Sequence, residues 1–124
     1  NNADYYNNRG DSRHSLGDYQ GAIEDYNLAI KLNPNFADYY RNRGNSRHFL
    51  GDYQGAIEDF DRAIIMNPNN ALYYANKAQI LLNNNNQKDA ILNYEKASSI
   101  YLNQGSFEKF YNIRDKIKKL SKRL

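Results

Sequence analysis

The sequence predicts an all-α fold, an α-solenoid of three helix-turn-helix repeats with a C-terminal capping helix. Three observations predict it. Leu16-Gly17-Asp18-Tyr19-Gln20-Gly21-Ala22-Ile23-Glu24-Asp25 returns letter for letter as Leu50 to Asp59, 34 residues later. Around that stretch, residues 3–36 and 37–70 agree at 25 of 34 positions. Turn-forming residues recur in the same phase, Gly17-Asp18 and Gly51-Asp52 in mid-repeat and Asn33-Pro34 and Asn67-Pro68 at its end. A period of this size marks a helical repeat, in which each unit buries its apolar face only against its neighbours.

Each element follows from local chemistry. The first helix of the repeat is expected over about Asp4–Leu16 and again over Asp38–Leu50. Gly17 and Gly51 stand where a helix end takes a left-handed residue. Asp18 and Asp52 then cap the second helix by accepting from its free amides. That helix carries Ala22, Ile23, Tyr26, Ala29 and Ile30 on one face, matched by Ala56, Ile57, Phe60, Ala63 and Ile64. It stops at Asn33-Pro34 and Asn67-Pro68, because proline lacks the amide and disfavours helix in the residue before it.

The third repeat, 71–104, keeps the length but few of the letters; Ala90, Tyr94 and Ala97 hold its buried positions. Its turn is Asn83-Asn84-Asn85-Asn86-Gln87, with Asn85 replacing the left-handed glycine. Leu102 fills the proline slot, so the helix is expected to run on to about Gln104 before Gly105 ends it. Residues 105–124 hold the capping helix, with Ser106 as its cap and Phe107, Phe110, Ile113, Ile117, Leu120 and Leu124 on one face. Its other face holds Lys109, Arg114, Lys116, Lys118, Lys119, Lys122 and Arg123. A helix of this pattern covers the face that the last repeat leaves open.

Composition narrows the function. With 40% hydrophobic and 25% charged residues, the chain of 124 residues reads as one folded domain rather than a disordered segment. The absence of cysteine removes disulfides, thiolate zinc sites and cysteine nucleophiles. No apolar run approaches the roughly 20 residues that span a membrane. The net charge of +3 is uneven. Residues 1–104 hold 10 Lys and Arg against 12 Asp and Glu, whereas residues 105–124 hold 7 against 2. Asn1-Asn2 fit the last two positions of a preceding repeat, as Asn69-Asn70 do, which reads as a fragment of a longer protein.

Aromatic and small residues at fixed offsets carry a resemblance. The first repeat offers Tyr6, Arg9-Gly10, Arg13, Ala22, Tyr26, Ala29 and Pro34. The second offers Tyr40, Arg43-Gly44, Arg47, Ala56, Phe60, Ala63 and Pro68, and the third Tyr74, Lys77-Ala78, Leu81, Ala90, Tyr94 and Ala97. This pattern resembles the tetratricopeptide family, and its wording is similar to repeat arrays common in cyanobacteria. The resemblance implies a right-handed solenoid. It covers about 102 of the 124 residues, and the glycine and alanine positions are those where helices approach closely. Arg9, Arg13, Arg43 and Arg47 depart from the family, which has leucine and tyrosine there. Either they pair with Asp25 and Asp59 on the neighbouring helices or they reach past the core edge into solvent.

The family resemblance also implies a concave groove lined by the first helix of each repeat. Its positions fall on Asp4, Asn7, Asn8, Asp11 and His14, then Arg41, Asn42, Asn45, His48 and Phe49, then Leu72, Ala75, Asn76 and Gln79. Of these, Arg41, Asn42, Asn45, His48, Asn76 and Gln79 are the expected peptide contacts. Asparagine offers donor and acceptor together and so grips a peptide backbone irrespective of sequence, while Arg41 suits a carboxylate. One subfamily grips the carboxylate tail of heat-shock chaperones; its positions correspond to Asn7, Asp11, Asn42, Leu72 and Asn76. Only Asn42 fits, and Asp11 would repel such a tail.

No metal set, phosphate loop or catalytic triad is recognisable, and no cofactor is expected. The expected function is a protein-interaction scaffold whose partner is another protein or a peptide. Self-association into a homodimer through the leading face of the first repeat (Tyr5, Tyr6, Arg9, Arg13) is one alternative. Contact of the basic last helix with nucleic acid or an anionic membrane is another.

Overall fold

The structure is a computed structural model that describes residues 2–124. Asn1, half of the Asn1-Asn2 pair read as the end of a preceding repeat, lies outside the described residues. Among the described residues there are seven α-helices and no strand, an all-α helical repeat solenoid. They fall into two compact units, Asn1–Asn67 and Pro68–Leu124. The first holds α1 (Asn2–Ser15), α2 (Tyr19–Leu32), α3 (Ala37–Phe49) and α4 (Tyr53–Met66). The second holds α5 (Ala71–Asn83), α6 (Gln87–Asn103) and α7 (Phe107–Ser121). Among the described residues, no helix is long and apolar enough to cross a membrane.

One turn design serves four times. Gly17, Gly51, Asn85 and Gly105 sit at φ +84°, +83°, +60° and +73°. In each turn the left-handed residue donates to the carbonyl three back, and the next residue to the carbonyl five back. Gly17 bonds His14 at 3.0 Å and Asp18 bonds Arg13 at 2.9 Å. Asp18 and Asp52 each cap the following helix by accepting from Gly21 and Gly55 at 3.0 Å. Asn86 caps α6 in the same way. The capping helix departs from expectation at its start and end. Ser106 occupies the cap position but its side chain makes no cap hydrogen bond. Ile113, Ile117 and Leu120 are buried, whereas Phe107 and Leu124 lie open to solvent, since α7 covers its neighbour only along the middle of its apolar face.

Within the first unit, Ala22, Ala29, Ala56 and Ala63 are wholly buried, as are Tyr26 and Phe60. Small side chains here let backbones close up, and Gly10 and Gly44 do the same for α1 and α3. A Cβ at Gly10 would stand 2.7 Å from Tyr26 Cε1. In the second unit Ala78, Ala90, Tyr94 and Ala97 hold the matching core positions. The repeat ends are fixed by tyrosines, with Tyr40 donating to the Pro34 carbonyl at 3.0 Å and Tyr74 to the Pro68 carbonyl at 2.8 Å.

The arginines are paired. Arg9 Nε and Nη2 donate to the two oxygens of buried Asp25 at 3.0 and 2.7 Å, and Arg13 adds a third bond at 3.1 Å. Arg43 and Arg47 repeat this on Asp59 at 3.0, 2.7 and 2.9 Å. The bond to Asp25 raises the Arg9 pKa further above its ordinary range. Arg43 also reaches Asn27 Oδ1 at 2.8 Å, tying α3 to α2. Each carboxylate thus has its charge and lone pairs satisfied where they are cut off from water.

Candidate functional site

Residues 34 apart face the same way on successive first helices, so α1 and α3 share one polar side. On it lies a pocket of about 280 Å³. Asp11 and His14 from α1 meet Arg41, Asn42 and Asn45 from α3, with Tyr26 of α2 behind. Three of the six expected contacts therefore converge on one pocket.

Most of its side chains are held by neighbours. Tyr26 donates to Asp11 Oδ1 at 2.6 Å. Burial, helped by that bond, pushes the Tyr26 phenol well above its ordinary value. Asn42 Nδ2 donates to Asn7 Oδ1 at 2.9 Å, and Arg41 Nε donates to Asp38 at 3.2 Å. His14 Nδ1 lies 2.8 Å from Ser46 Oγ, and its ring meets Tyr19 and Phe49 edge-on at 5.0 and 5.3 Å. Burial lowers the His14 pKa, with Asp11 opposing in part. Asn45 and exposed Ser15 are the exceptions, because their side chains make no hydrogen bond among the described residues. An amide in a pocket with its donor and acceptor both uncommitted is suited to a peptide group.

The other expected contacts are placed elsewhere. His48 is half-buried, its ring 5.7 Å from those of both Phe49 and Tyr53, and burial lowers its pKa. Asn76 and Gln79 lie on α5 in the second unit, where Gln79 accepts from Tyr94 at 3.4 Å and donates to Asn83 at 3.2 Å. Sequence reasoning missed Tyr39, which donates to Asp4 at 2.6 Å; burial first and that bond second push its phenol up to about 12. It also missed Ser46, fully buried beside His14. The only advance signal for either was its identity in both repeats.

Comparison with known proteins agrees with this architecture. No curated protein matches the sequence. Among solved structures, the TPR2B-domain:pHsp70 complex of yeast Sti1 is 23% identical over 99% of this chain and 98% of that one, with a TM-score of 0.90. The translocator chaperone SycD of Yersinia enterocolitica type III secretion is 16% identical over 97% and 83%, at 0.87. The first TPR of Spaghetti, bound to an HSP90 peptide, is 18% identical over 98% and 92%, at 0.85. At these identities the likeness speaks for the fold alone. The TPR repeat model matches residues 10–48, and two tetratricopeptide repeat models match residues 37–70 and 60–92. With three overlapping matches that together span residues 10–92, the chain belongs to the tetratricopeptide repeat family.

Proposed function

We propose that this chain is a protein-interaction scaffold, and that the pocket between α1 and α3 takes an extended segment of a partner polypeptide. The observation that carries the reading is the convergence of Arg41, Asn42 and uncommitted Asn45 on one pocket. Several similar structures are described as peptide complexes, among them Spaghetti with the HSP90 peptide SRMEEVD and PcrH with the chaperone binding region of PopD. Those ligands belong to those proteins. Here Asn45 and the free Oδ1 side of Asn42 offer a donor and acceptors to a main chain, whatever side chains it carries. The Asp11 carboxylate on the same wall disfavours an acidic tail and favours neutral or basic segments.

Panning a random peptide-display library against the chain tests this. Recovered peptides should bind the wild type and lose most of their affinity for Arg41→Gln with Asn45→Ala. Both side chains sit at the pocket wall, so a far-ultraviolet spectrum should show the variant folded. Peptides that bind wild type and variant alike would remove the pocket from the reading.

A further inference from the structure

The second unit has a cavity system of its own, and it is charged differently. Two adjoining cavities of about 220 and 440 Å³ share Gln79 and Leu82 of α5, Leu120 of α7, and Arg123 just beyond α7. Leu82, Tyr94 and Leu120 give the smaller one an apolar floor, and Lys116, Lys119 and Arg123 surround it. Among the described residues, no Asp or Glu lines either cavity. Gln87 of α6 donates to the Leu120 carbonyl at 3.2 Å and so fixes the end of α7 that carries these cations. Lys116 Nζ stands over the Tyr94 ring, 5.7 Å from its centre. Among the described residues, Lys119 pairs with exposed Asp115 alone, one turn back on its own helix, at 3.0 Å; such a pair is weak and easily exchanged. Arg123 has no ion pair among the described residues.

We infer that this cavity docks a protein segment carrying carboxylates next to an apolar side chain of leucine size. The apolar group covers the Leu82–Tyr94–Leu120 floor, and the carboxylates meet Lys116 and Arg123. Charge complementarity selects this occupant, since three cations stand around the floor and no anion does. A nucleic-acid duplex would satisfy the cations but, with its bases stacked inside, offer nothing to the apolar floor; a single strand is an outcome of the test. This site is separate from the pocket of Arg41, Asn42 and Asn45, and does not depend on it.

The test is fluorescence anisotropy near physiological ionic strength with a labelled peptide alternating Glu-Glu with Leu. Controls are the Gln-Gln-Leu peptide, the Glu-Glu-Ser peptide, a single-stranded RNA oligonucleotide and phosphatidylserine vesicles. The Glu-Glu-Leu peptide should bind, and the Gln-Gln-Leu and Glu-Glu-Ser peptides should bind at least about tenfold more weakly. Lys116→Glu on α7 with Arg123→Glu just beyond it, both exposed, should cost the Glu-Glu-Leu peptide about tenfold or more. Arg41→Gln with Asn45→Ala should leave its binding unchanged, which keeps this site distinct from the first. Equal binding of the Glu-Glu-Ser peptide, tighter binding of RNA or vesicles, or no loss in the charge-reversed variant would each overturn the inference.

Discussion

Tyr26 donates its hydroxyl to Asp11 at 2.6 Å, whereas one repeat later the same two positions hold Phe60 and Asn45. Two of the nine differences between the repeats are therefore one physical change. Removing the hydroxyl removes the partner of the facing polar residue, and Asn45 is left free to meet a ligand. In the third repeat Tyr94 and Gln79 restore the bond at 3.4 Å. Tyr26→Phe should cost about 1.5 kcal/mol, the low end for a bond to a charged acceptor, because Asp11 regains water. Phe60→Tyr should give Asn45 a partner and weaken peptide binding several-fold with little change in stability. Urea midpoints and peptide titrations on the two variants check both halves.

The two arginine clamps should differ in worth. Asp25 and Asp59 are both buried, but Arg43 and Arg47 keep only 17% and 25% of their side-chain surface exposed, against 38% and 37% for Arg9 and Arg13. Asp59→Ala strands two cations with poor access to water and should cost about 3 kcal/mol. Asp25→Ala should cost less, since its arginines can turn outward. Chemical denaturation that ranks Asp25→Ala as the more damaging would contradict this.

Gly10→Ala pits two effects against each other. Alanine in a helix interior gains up to about 1 kcal/mol over glycine. The new Cβ would meet Tyr26 Cε1 at 2.7 Å, and that ring is buried and anchored through its hydroxyl. Overpacking of this kind costs about 1–3 kcal/mol, so the variant should be less stable. At Gly44 the nearest ring atoms are 3.0 Å away and belong to Phe60, which has no hydroxyl anchor, so Gly44→Ala should be milder. The order of the two thermal midpoints checks the argument.

Acid should weaken the fold through its histidines. Burial lowers the pKa of both His14 and His48 in the folded state. As pH falls below about 6.5, the unfolded chain takes up protons first, so stability declines until the folded rings titrate and then levels off. Urea midpoints at about pH 7.5 and 5.5 should drop for the wild type and drop less for His14→Gln with His48→Gln. An equal drop in both would assign the effect to other groups.

The helices and turns were legible because their signals are local. Gly17, Asn85 and Asp18 act on residues within a few positions of themselves. The arginine pairs stayed open because a long side chain beside a core edge reaches a carboxylate or water equally well until the helix spacing is known. The bonds from Tyr39 to Asp4 and from Tyr26 to Asp11 join residues 35 and 15 apart, so no short-range pattern announces them. Of the expected groove, Arg41, Asn42 and Asn45 were found together because they share a helix face. His48 was judged by its slot alone, and its packing on Phe49 and Tyr53 depends on rotamers that sequence does not reveal. The stripe on the last helix was read too wide, since periodicity shows which residues share a face but not how far the neighbouring helix extends.

The most direct measurement is an amide and side-chain NMR titration of the isotope-labelled chain with a peptide recovered by panning. The account predicts that the Asn45 side-chain amide shifts most, with Asn42, Arg41 and Asp11 following, and that exposed Glu24 on α2 and Glu58 on α4 stay still. Saturable shifts centred on α2 and α4, with Asn45 unmoved, would contradict it.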